Sequence, residues 1–485
     1  MESKGGQLAI LSKDELYEIH SATMEVLERV GVKVLEPKAL RLLEESGCIV
    51  DIKERIARIP EYIVKEATKK APSRFTLYGR NQKYRLKFEN KRVHFSLQGT
   101  AVYVIDLETG KRRSSTLMDL ENFFRLADAL KNVHHTSVTV KPTDIPDAVS
   151  HVYELFAGFK NTIKTVDGYT YGETIAMDTI KMASVIAGGE EELKKKPMLL
   201  GFHNPVSPLQ HSKELLEGLM IYAKYKQPVI IAPECQAGAT APVTLAGLLV
   251  QQNAEILSGL VIAELTNPGA PVLYGTVSTI MDMKTGNIAL GAIEAGLINV
   301  ATAQLAQYYG LPSRGTGGTT EAKTPNIQAG FEKALTLLMA ALAGMNFIYD
   351  AVGALDSTLT VSYEQAVIDN EICGMIQRAL QGIKVSDETL AVDIIESVGS
   401  GGQYLNKRHT LEYLKKEHYI PMILDRHGWE MWEKLGSKDI VESAREEAKK
   451  LLKEHKPEPL DCSIEEELKK IIKEVERRES TRTLA

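Results

Sequence analysis

The feature that most constrains the fold of this chain is an alternation of short β-rich runs with longer helical patterns, repeated eight times. The runs recur at intervals of roughly 30 to 40 residues and read VHFSLQ, HTSVTV, TIKTVD, MLLGFH, PVIIAP, APVLYG, LPSRGTG and NFIYDAV. Strands that alternate with helices pair in parallel, and about eight such units close into a barrel. An open doubly wound sheet is the alternative, but no G-x-G-x-x-G follows an early strand. The sequence therefore predicts the α/β class and a (β/α)8 TIM barrel.

Helical and hairpin patterns flank the eight units. Near the N-terminus, Ser12 and Glu15 form the capping box of a helix, and alternating residues further on predict β-hairpins. Helical patterns continue after the eighth unit. We expect an N-terminal helical and β-hairpin extension over residues 1–90, the barrel over residues 91–385 and a C-terminal helical extension over residues 386–485.

Charge and cysteine usage limit the partners and the location of the protein. The formal net charge is −6 and the pI is near 6.1, whereas nucleic-acid affinity rests on clustered Lys and Arg. The four cysteines lie far apart and form no C-x-x-C pair, which fits a reducing compartment and gives no ligand set for zinc. No long apolar run resembles a signal peptide or a membrane span. We expect a cytoplasmic protein that binds neither nucleic acid, membrane nor metal.

In such a barrel the active site lies at the C-terminal ends of the strands. The polar and aromatic residues expected there include Lys141, Asp167 and Tyr169. The predicted substrate-binding residues are Gln98, Phe202, His203, Asn204, Glu234, Tyr274 and Asp350. Since side chains alternate along a strand, Phe202 and His203 cannot both point inward, and we predict that His203 does. No residue is assigned a catalytic role.

A glycine-rich loop, GTGGTTEAK, follows the seventh strand. It misses the Walker A pattern by one residue, because Ala322 stands where the second glycine belongs. Barrels often bind phosphate at this position through backbone N–H groups. The alternative is a simple turn, with Thr324 as the N-cap of the next helix and Pro325 at its first position.

Several long segments in fixed order resemble one known family. GFHNPVSPLQHSKELLEGL, QAGATAPVTLAGLLVQQNAEIL, GLPSRGTGGTTEAKTPNIQAGFEKALTLLMAALAGMNFI and EHYIPMILDRHGWEMW are similar to the trimethylamine methyltransferase family of corrinoid-dependent barrel enzymes. The resemblance covers nearly the whole chain. Members that use trimethylamine carry pyrrolysine, whereas this chain contains only the standard amino acids. It resembles instead the members associated with quaternary amines such as glycine betaine.

The resemblance implies methyl transfer from a quaternary amine to the Co(I) of a corrinoid (cobalamin). Because the chain has no D-x-H-x-x-G signature, we expect a cognate corrinoid protein to carry that group. Where the corrinoid meets the barrel, the predicted contacts are Gly315, Gly317, Gly318, Thr319, Glu321 and Lys323. The charged C-terminal tail is typical of a solvated or subunit-packing helix, and we expect a homo-oligomer. Two other functions stay open: a phosphate-binding barrel lyase or aldolase that uses Lys141, and a betaine-binding protein without catalysis.

Overall fold

The computed structural model describes residues 5–483 of the protein. The strands, in chain order, are β1 (Val32–Val34), β2 (Ile49–Asp51), β3 (Ile56–Arg58), β4 (Phe75–Tyr78), β5 (Arg85–Phe88), β6 (His94–Leu97), β7 (Tyr103–Ile105), β8 (Arg112–Ser114), β9 (His135–Thr136), β10 (Thr165–Asp167), β11 (Leu199–His203), β12 (Gln210–His211), β13 (Val229–Ile231), β14 (Gln236–Ala237), β15 (Val272–Gly275), β16 (Thr279–Asp282), β17 (Asn287–Ala289), β18 (Ser313–Thr316), β19 (Phe347–Val352), β20 (Ala354–Leu355) and β21 (Thr360–Ser362).

The helices account for most of the remaining chain. In chain order they are α1 (Lys13–Arg29), α2 (Pro37–Glu45), α3 (Glu61–Lys70), α4 (Leu117–Ala129), α5 (Asp147–Asn161), α6 (Gly172–Ala187), α7 (Glu190–Lys195), α8 (Lys213–Lys224), α9 (Leu245–Thr266), α10 (Ile293–Tyr309), α11 (Ile327–Leu342), α12 (Tyr363–Gln381), α13 (Asp387–Leu390), α14 (Val392–Val398), α15 (Arg408–Glu417), α16 (Trp429–Lys434), α17 (Ile440–Glu454) and α18 (Cys462–Thr483).

Eight strands close into a barrel in the order β6, β9, β10, β11, β13, β15, β18 and β19, with β19 pairing back to β6. All eight neighbouring pairs are parallel. Each of the eight predicted β-rich runs contains one of these strands, and helices connect them. The predicted (β/α)8 barrel is confirmed.

Apolar side chains fill the end of the barrel at which the strands begin. Leu200, Ile230, Leu273 and Phe347 form one buried cluster there with three side chains of the β4–β5 hairpin. The hairpin residues of that cluster are Leu77, Leu86 and Phe88. Since the hairpin closes this end, the opposite end, where the strands finish, is the end that holds a cavity.

The two extensions pack on the outside of the barrel. At the N-terminus, Ser12 and Glu15 form the predicted capping box of α1, and α1 packs against α9. Near the C-terminus, α17 packs on α12 and α4, whereas α18 packs on α5 and α6. The boundaries after residues 90 and 385 stay predictions.

Helix α9 is unusually apolar. Within the part of the chain that the structure describes, it alone is long and apolar enough to cross a membrane by length and composition. Most of its residues are buried in the protein, where it packs against α1, α3 and α8. Its apolar surface therefore contributes to the core around the barrel.

Candidate functional site

A cavity of about 390 Å³ opens at the C-terminal ends of the barrel strands. Four charged side chains reach it, namely three carboxylates and one guanidinium. The residues that line it are Gly99, Thr100, Val138, Asp167, Gly168, Tyr169, Thr170, Tyr171, Phe202, Asn204, Glu234, Val277, Leu290, Arg314, Tyr349, Asp350 and Thr358. With three carboxylates against one arginine, the cavity favours a ligand that carries positive charge.

Four of the seven predicted substrate-binding residues line this cavity: Phe202, Asn204, Glu234 and Asp350. Phe202 points inward from β11, and Asn204 and Glu234 follow the ends of β11 and β13. Asp350 reaches the cavity for a different reason. Its φ of 61° lies in the left-handed region, and the pairing of β19 with β6 shifts register beside it, so the strand's alternation is interrupted there. Their role in substrate binding stays a prediction.

The prediction that His203 points into the barrel is wrong. Its Nε2 lies 2.8 Å from Nδ1 of His211, and its Nδ1 lies 3.2 Å from the carbonyl of Leu215, so the ring packs outside the barrel wall. Tyr274 also points outward and donates to Asn253 Oδ1 at 2.8 Å. Because alternate strand residues face opposite sides, Phe202 takes the inward place that we had given to His203. Neither His203 nor Tyr274 reaches the cavity.

Gln98 lies directly behind the cavity wall. It is fully buried and donates from Nε2 to the carbonyl of Thr358 at 3.2 Å. Its Oε1 has no hydrogen-bond partner within residues 5–483. Gln98 therefore holds a residue that lines the cavity, and it does not line the cavity itself.

Arg314 on β18 is the charged residue of the cavity that the sequence analysis missed. It is almost fully buried, and its Nη1 donates to the carbonyl of Thr276 at 2.6 Å. The guanidinium carbon lies 5.2 Å from the centroid of Phe202 and 4.8 Å from that of Tyr349, within cation–π distance. Its Nη2 is 3.8 Å from Asp350 Oδ2, and its Nε has no partner among the described residues. The sequence signal that could have identified Arg314 is its charge, since a charged residue within a predicted barrel strand is unusual.

A buried network holds the third carboxylate. Asp167 accepts a hydrogen bond from Nε2 of His135 at 2.9 Å and another from the hydroxyl of Tyr349. His135 is oriented in turn by Thr165, whose Oγ1 lies 2.8 Å from Nδ1. All three partners of the network lie on barrel strands, so Asp167 is held in one orientation at the cavity wall.

Burial governs the ionisation of the charged groups in the cavity. It raises the pKa of Glu234, with a further increase from the neighbouring Asp350 and an opposing effect of Arg314. Burial also raises the pKa of Asp350 and lowers that of Arg314. A cation bound in the cavity would favour the ionised form of both carboxyls.

The glycine-rich loop is held by hydrogen bonds to neighbouring elements, and none of its six predicted contact residues lines the cavity. Gly317 and Gly318 donate their N–H groups to the Tyr349 carbonyl and to Thr336 Oγ1. The N–H groups of Gly317 and Gly318 are therefore not free for a ligand, whereas contact between this loop and a corrinoid stays a prediction. Two further loop residues are packed against their surroundings: the Cα of Gly315 faces Asn299 and Met345, and Thr319 donates to the Leu290 carbonyl.

Two loop residues face a second groove instead. Glu321 and Lys323 line a space of about 750 Å³ between the β16–β17 hairpin and the loop that connects β20 to β21. Lys323 pairs there with Asp356 at 3.0 Å. The next helix begins at Ile327 with Asn326 as N-cap, its side chain accepting from Ala329 N at 3.0 Å, so the predicted N-cap at Thr324 is wrong.

Lys141 lies away from the cavity. Its Nζ pairs with Asp147 at 3.0 Å and lies 3.4 Å from Ser150 Oγ. Among residues 5–483, no group of three or more His, Cys, Asp or Glu side chains is arranged to hold a metal ion.

Comparison with known proteins places the chain. The trimethylamine methyltransferase (MTTB) family model matches residues 1–481. Trimethylamine methyltransferase MttB of Desulfitobacterium hafniense (strain DSM 10664 / DCB-2) is 40% identical over 473 residues, covering 98% of this chain and 95% of that protein. Glycine betaine methyltransferase of D. hafniense (strain Y51) is 38% identical over 466 residues, covering 96% of each.

A solved structure shares the fold at much lower sequence identity. The monomethylamine methyltransferase MtmB of Methanosarcina barkeri aligns with a TM-score of 0.52 and 12% identity, covering 93% of this chain and 89% of MtmB. That likeness supports the barrel and its extensions alone. The full-length family match and the two relatives go further: this chain is a methyltransferase and belongs to the trimethylamine methyltransferase family.

Proposed function

We propose that the protein transfers a methyl group from a small quaternary amine that also carries a carboxylate, such as glycine betaine, to the Co(I) of a corrinoid held by a separate protein. Two relatives of nearly equal identity are named for trimethylamine and for glycine betaine. Overall identity therefore does not separate the two substrates. The residues that line the cavity support glycine betaine or a similar betaine as the substrate.

The observation that carries this proposal is the buried guanidinium of Arg314. Its Nε–H group has no partner among the described residues, and a buried donor left without an acceptor costs about 1–3 kcal/mol. Because Arg314 lines the cavity, a carboxylate on the ligand would pair with its guanidinium in a charge-assisted hydrogen bond. Trimethylamine has no carboxylate to pair with the guanidinium, and its protonated form has no acceptor at all, whereas a betaine offers two carboxylate oxygens.

The other end of a betaine is a permanent cation, and the cavity offers groups that bind cations. Asp167 and Glu234 supply negative charge, and Tyr169 and Tyr171 supply aromatic faces in the same lining. Tyr169 is held by its hydroxyl, which donates to the buried Glu154. Opposite charges at fixed positions would orient the substrate so that one methyl group faces the opening.

A quaternary ammonium leaves as a neutral amine once its methyl group is removed, so the reaction needs no acid. The corrinoid, when bound, supplies the nucleophile for the methyl carbon. The residues of this chain then act by positioning, which fits a cavity whose polar groups bind and orient.

The surface around the cavity fits a partner that carries a corrinoid. Connections that follow six barrel strands at this end each expose an apolar side chain: Val102, Tyr171, Val206, Val243, Met283 and Leu359. A corrinoid is a broad macrocycle with apolar faces and polar amide edges, and exposed apolar side chains of this kind suit such a surface.

The test is a spectroscopic assay of methyl–cobalt formation from Co(I) cobalamin, with glycine betaine, proline betaine, carnitine, choline and trimethylamine as donors. We expect a signal from at least one donor with a carboxylate and none from choline or trimethylamine. Calorimetry should be run beside it, because binding without methyl transfer would favour a non-catalytic betaine-binding protein.

Arg314→Met is the matched variant. We expect it to lower methyl transfer from the active betaine by roughly 10²-fold, because the carboxylate of the bound substrate would lose its positively charged partner. The control is Arg29→Met, since Arg29 is exposed on α1. Equal activity of wild type on choline and betaines would contradict the role of Arg314, and robust activity on trimethylamine would contradict the substrate class. The lyase alternative lacks support, because Lys141 pairs with Asp147 outside the cavity.

A further inference from the structure

Residues 383–437, here called the C-terminal arm, contain α13 to α16 and differ from the rest of the molecule. The structure describes all of these residues and buries none of them. Fourteen large apolar side chains in the arm are exposed. They are Ile383, Val385, Leu390, Val392, Ile395, Tyr404, Leu405, Leu411, Leu414, Ile420, Met422, Trp429, Met431 and Leu435.

The exposed apolar side chains are concentrated in one short segment of the chain. At roughly 100 Å² for each partly exposed side chain of this size, the arm presents on the order of 1,000 Å² of apolar surface in total. Leu405 and Leu411 are 85% and 80% exposed. An arm without its own core needs another surface to cover it.

The arm is nevertheless held in a defined place on α12. Glu371 accepts hydrogen bonds from Tyr419 Oη at 2.7 Å and from the N–H groups of Met422 and Ile423 at 2.9 and 3.1 Å. Arg378 pairs with Glu417 at 3.1 Å. These polar contacts hold the arm on α12, while fourteen of its apolar side chains stay exposed.

The position of the arm argues against the corrinoid protein as the partner that buries its apolar side chains. Helix α12 starts after the eighth barrel strand and runs back toward the end that the β4–β5 hairpin closes, as helices of this barrel do. Its last residue, Gln381, lines a groove together with Tyr84, Arg85 and Leu86 of that hairpin region. Among the described residues that line the catalytic cavity, none belongs to the arm. A protein that must reach the cavity therefore binds at the other end.

The chemistry of the arm suits a permanent, identical partner. Permanent interfaces are more apolar than transient ones and bury about 800 Å² or more on each side. Residues 383–437 carry seven Lys and Arg against nine Asp and Glu, so two copies would meet with both signs of charge and little net repulsion. Symmetric self-association is also the commonest form of assembly in soluble proteins.

We propose that the C-terminal arm is the surface through which copies of this chain associate, with a second copy covering its apolar side chains. Its exposed leucines form the centre of that contact, and the polar contacts to Glu371 and Arg378 hold the arm in register. This inference does not depend on which amine is the substrate.

The first test is the oligomeric state in sedimentation velocity with the full chain. Wild type should be an oligomer at micromolar concentration. The double variant Leu405→Lys with Leu411→Lys should raise the dissociation constant at least 100-fold. The matched control is Ile49→Lys with Ile52→Lys, at exposed apolar positions in and beside the N-terminal strand β2, and it should not change the oligomeric state.

The second test does not depend on any variant folding. Copies labelled with ¹⁴N and ¹⁵N are mixed, and an amine cross-linker is applied; Lys407, Lys415 and Lys416 lie in the arm. Cross-links that join a light and a heavy arm support the proposal. A wild-type monomer at 100 µM would overturn it, as would an oligomer whose mixed-isotope cross-links all lie outside the arm. Cross-links from the arm to added corrinoid protein instead of a second copy would also overturn it.

Discussion

The catalytic end of the barrel and the C-terminal arm place their side chains in opposite ways. The barrel buries charged groups, among them Arg314, Asp350 and Lys333, whereas the arm buries no residue and exposes leucines and a tryptophan. Each arrangement costs free energy in an isolated chain, because a buried charge loses its hydration and an exposed apolar side chain orders water. The difference teaches that both regions are built to meet something else, a small charged ligand in one case and, on our proposal, a second chain in the other.

The largest contrast that we expect is between two ion pairs. Lys333 and Asp369 are fully buried and 3.2 Å apart, and Lys333 also donates to the carbonyls of Gly318 and Ala354. Removing one member of a buried pair leaves an uncompensated charge and costs about 3–5 kcal/mol. We expect Lys333→Met to lower the free energy of unfolding by this amount in urea denaturation.

The control lies in the arm. Arg408 and Glu412 are 2.6 Å apart but their side chains are 89% and 44% exposed, and exposed pairs of this kind contribute less than about 0.5 kcal/mol. Arg408→Ala should therefore leave the unfolding free energy nearly unchanged. Equal effects of the two substitutions would contradict the contrast between the regions.

A smaller contrast concerns leucines. Leu273 is fully buried in the barrel interior, so Leu273→Ala removes packed atoms and leaves a cavity, at a cost of about 2–5 kcal/mol. Leu405→Ala removes a side chain that packs on little within its own chain. We expect it to weaken self-association in sedimentation equilibrium while the unfolding free energy of the dissociated chain changes by less than about 0.5 kcal/mol. Substantial destabilisation of that chain would mean that Leu405 is packed internally.

The smallest effect is a pH dependence of stability. Burial lowers the pKa of His94 to about 4, against about 6.5 in an unfolded chain. Below pH 6.5 the unfolded chain binds a proton that the folded chain refuses, so stability falls as the pH drops toward 4. Relative to neutral pH, this ring lowers the free energy of unfolding by about 1 kcal/mol at pH 5.5 and by about 3 kcal/mol at pH 4.

Denaturation between pH 7 and pH 5.5 would measure this effect. The slope of unfolding free energy against pH should be shallower in His94→Gln, because that side chain does not titrate. The matched control is His427→Gln in the arm, where the histidine is exposed. A pH slope that is unchanged in His94→Gln would show that His94 has the same pKa in the folded and the unfolded protein.

Sequence patterns predicted the barrel because each strand and helix carries its own period, and the count of eight units was local information. The same patterns correctly predicted that Phe202, Asn204, Glu234 and Asp350 lie at one end of the barrel, because the ends of strands can be located from sequence. The patterns failed to predict which side chains of a strand point into the barrel. A shift of one residue exchanges the inside and the outside of a strand, and we placed His203 inside where Phe202 lies.

What the amino-acid sequence by itself determined is the alternation of strands and helices, the closed barrel, the end at which the cavity lies and, through long ordered segments, the family. What only the tertiary structure decided is which side chains meet. The surroundings of Arg314 come from three different strands: they leave its Nε unpaired, place Phe202 and Tyr349 beside its guanidinium, and set its distance to Asp350. The exposure of the C-terminal arm likewise depends on which surfaces the rest of the chain covers. Both are properties of contacts between residues far apart in sequence, and local periodicity carries no information about such contacts.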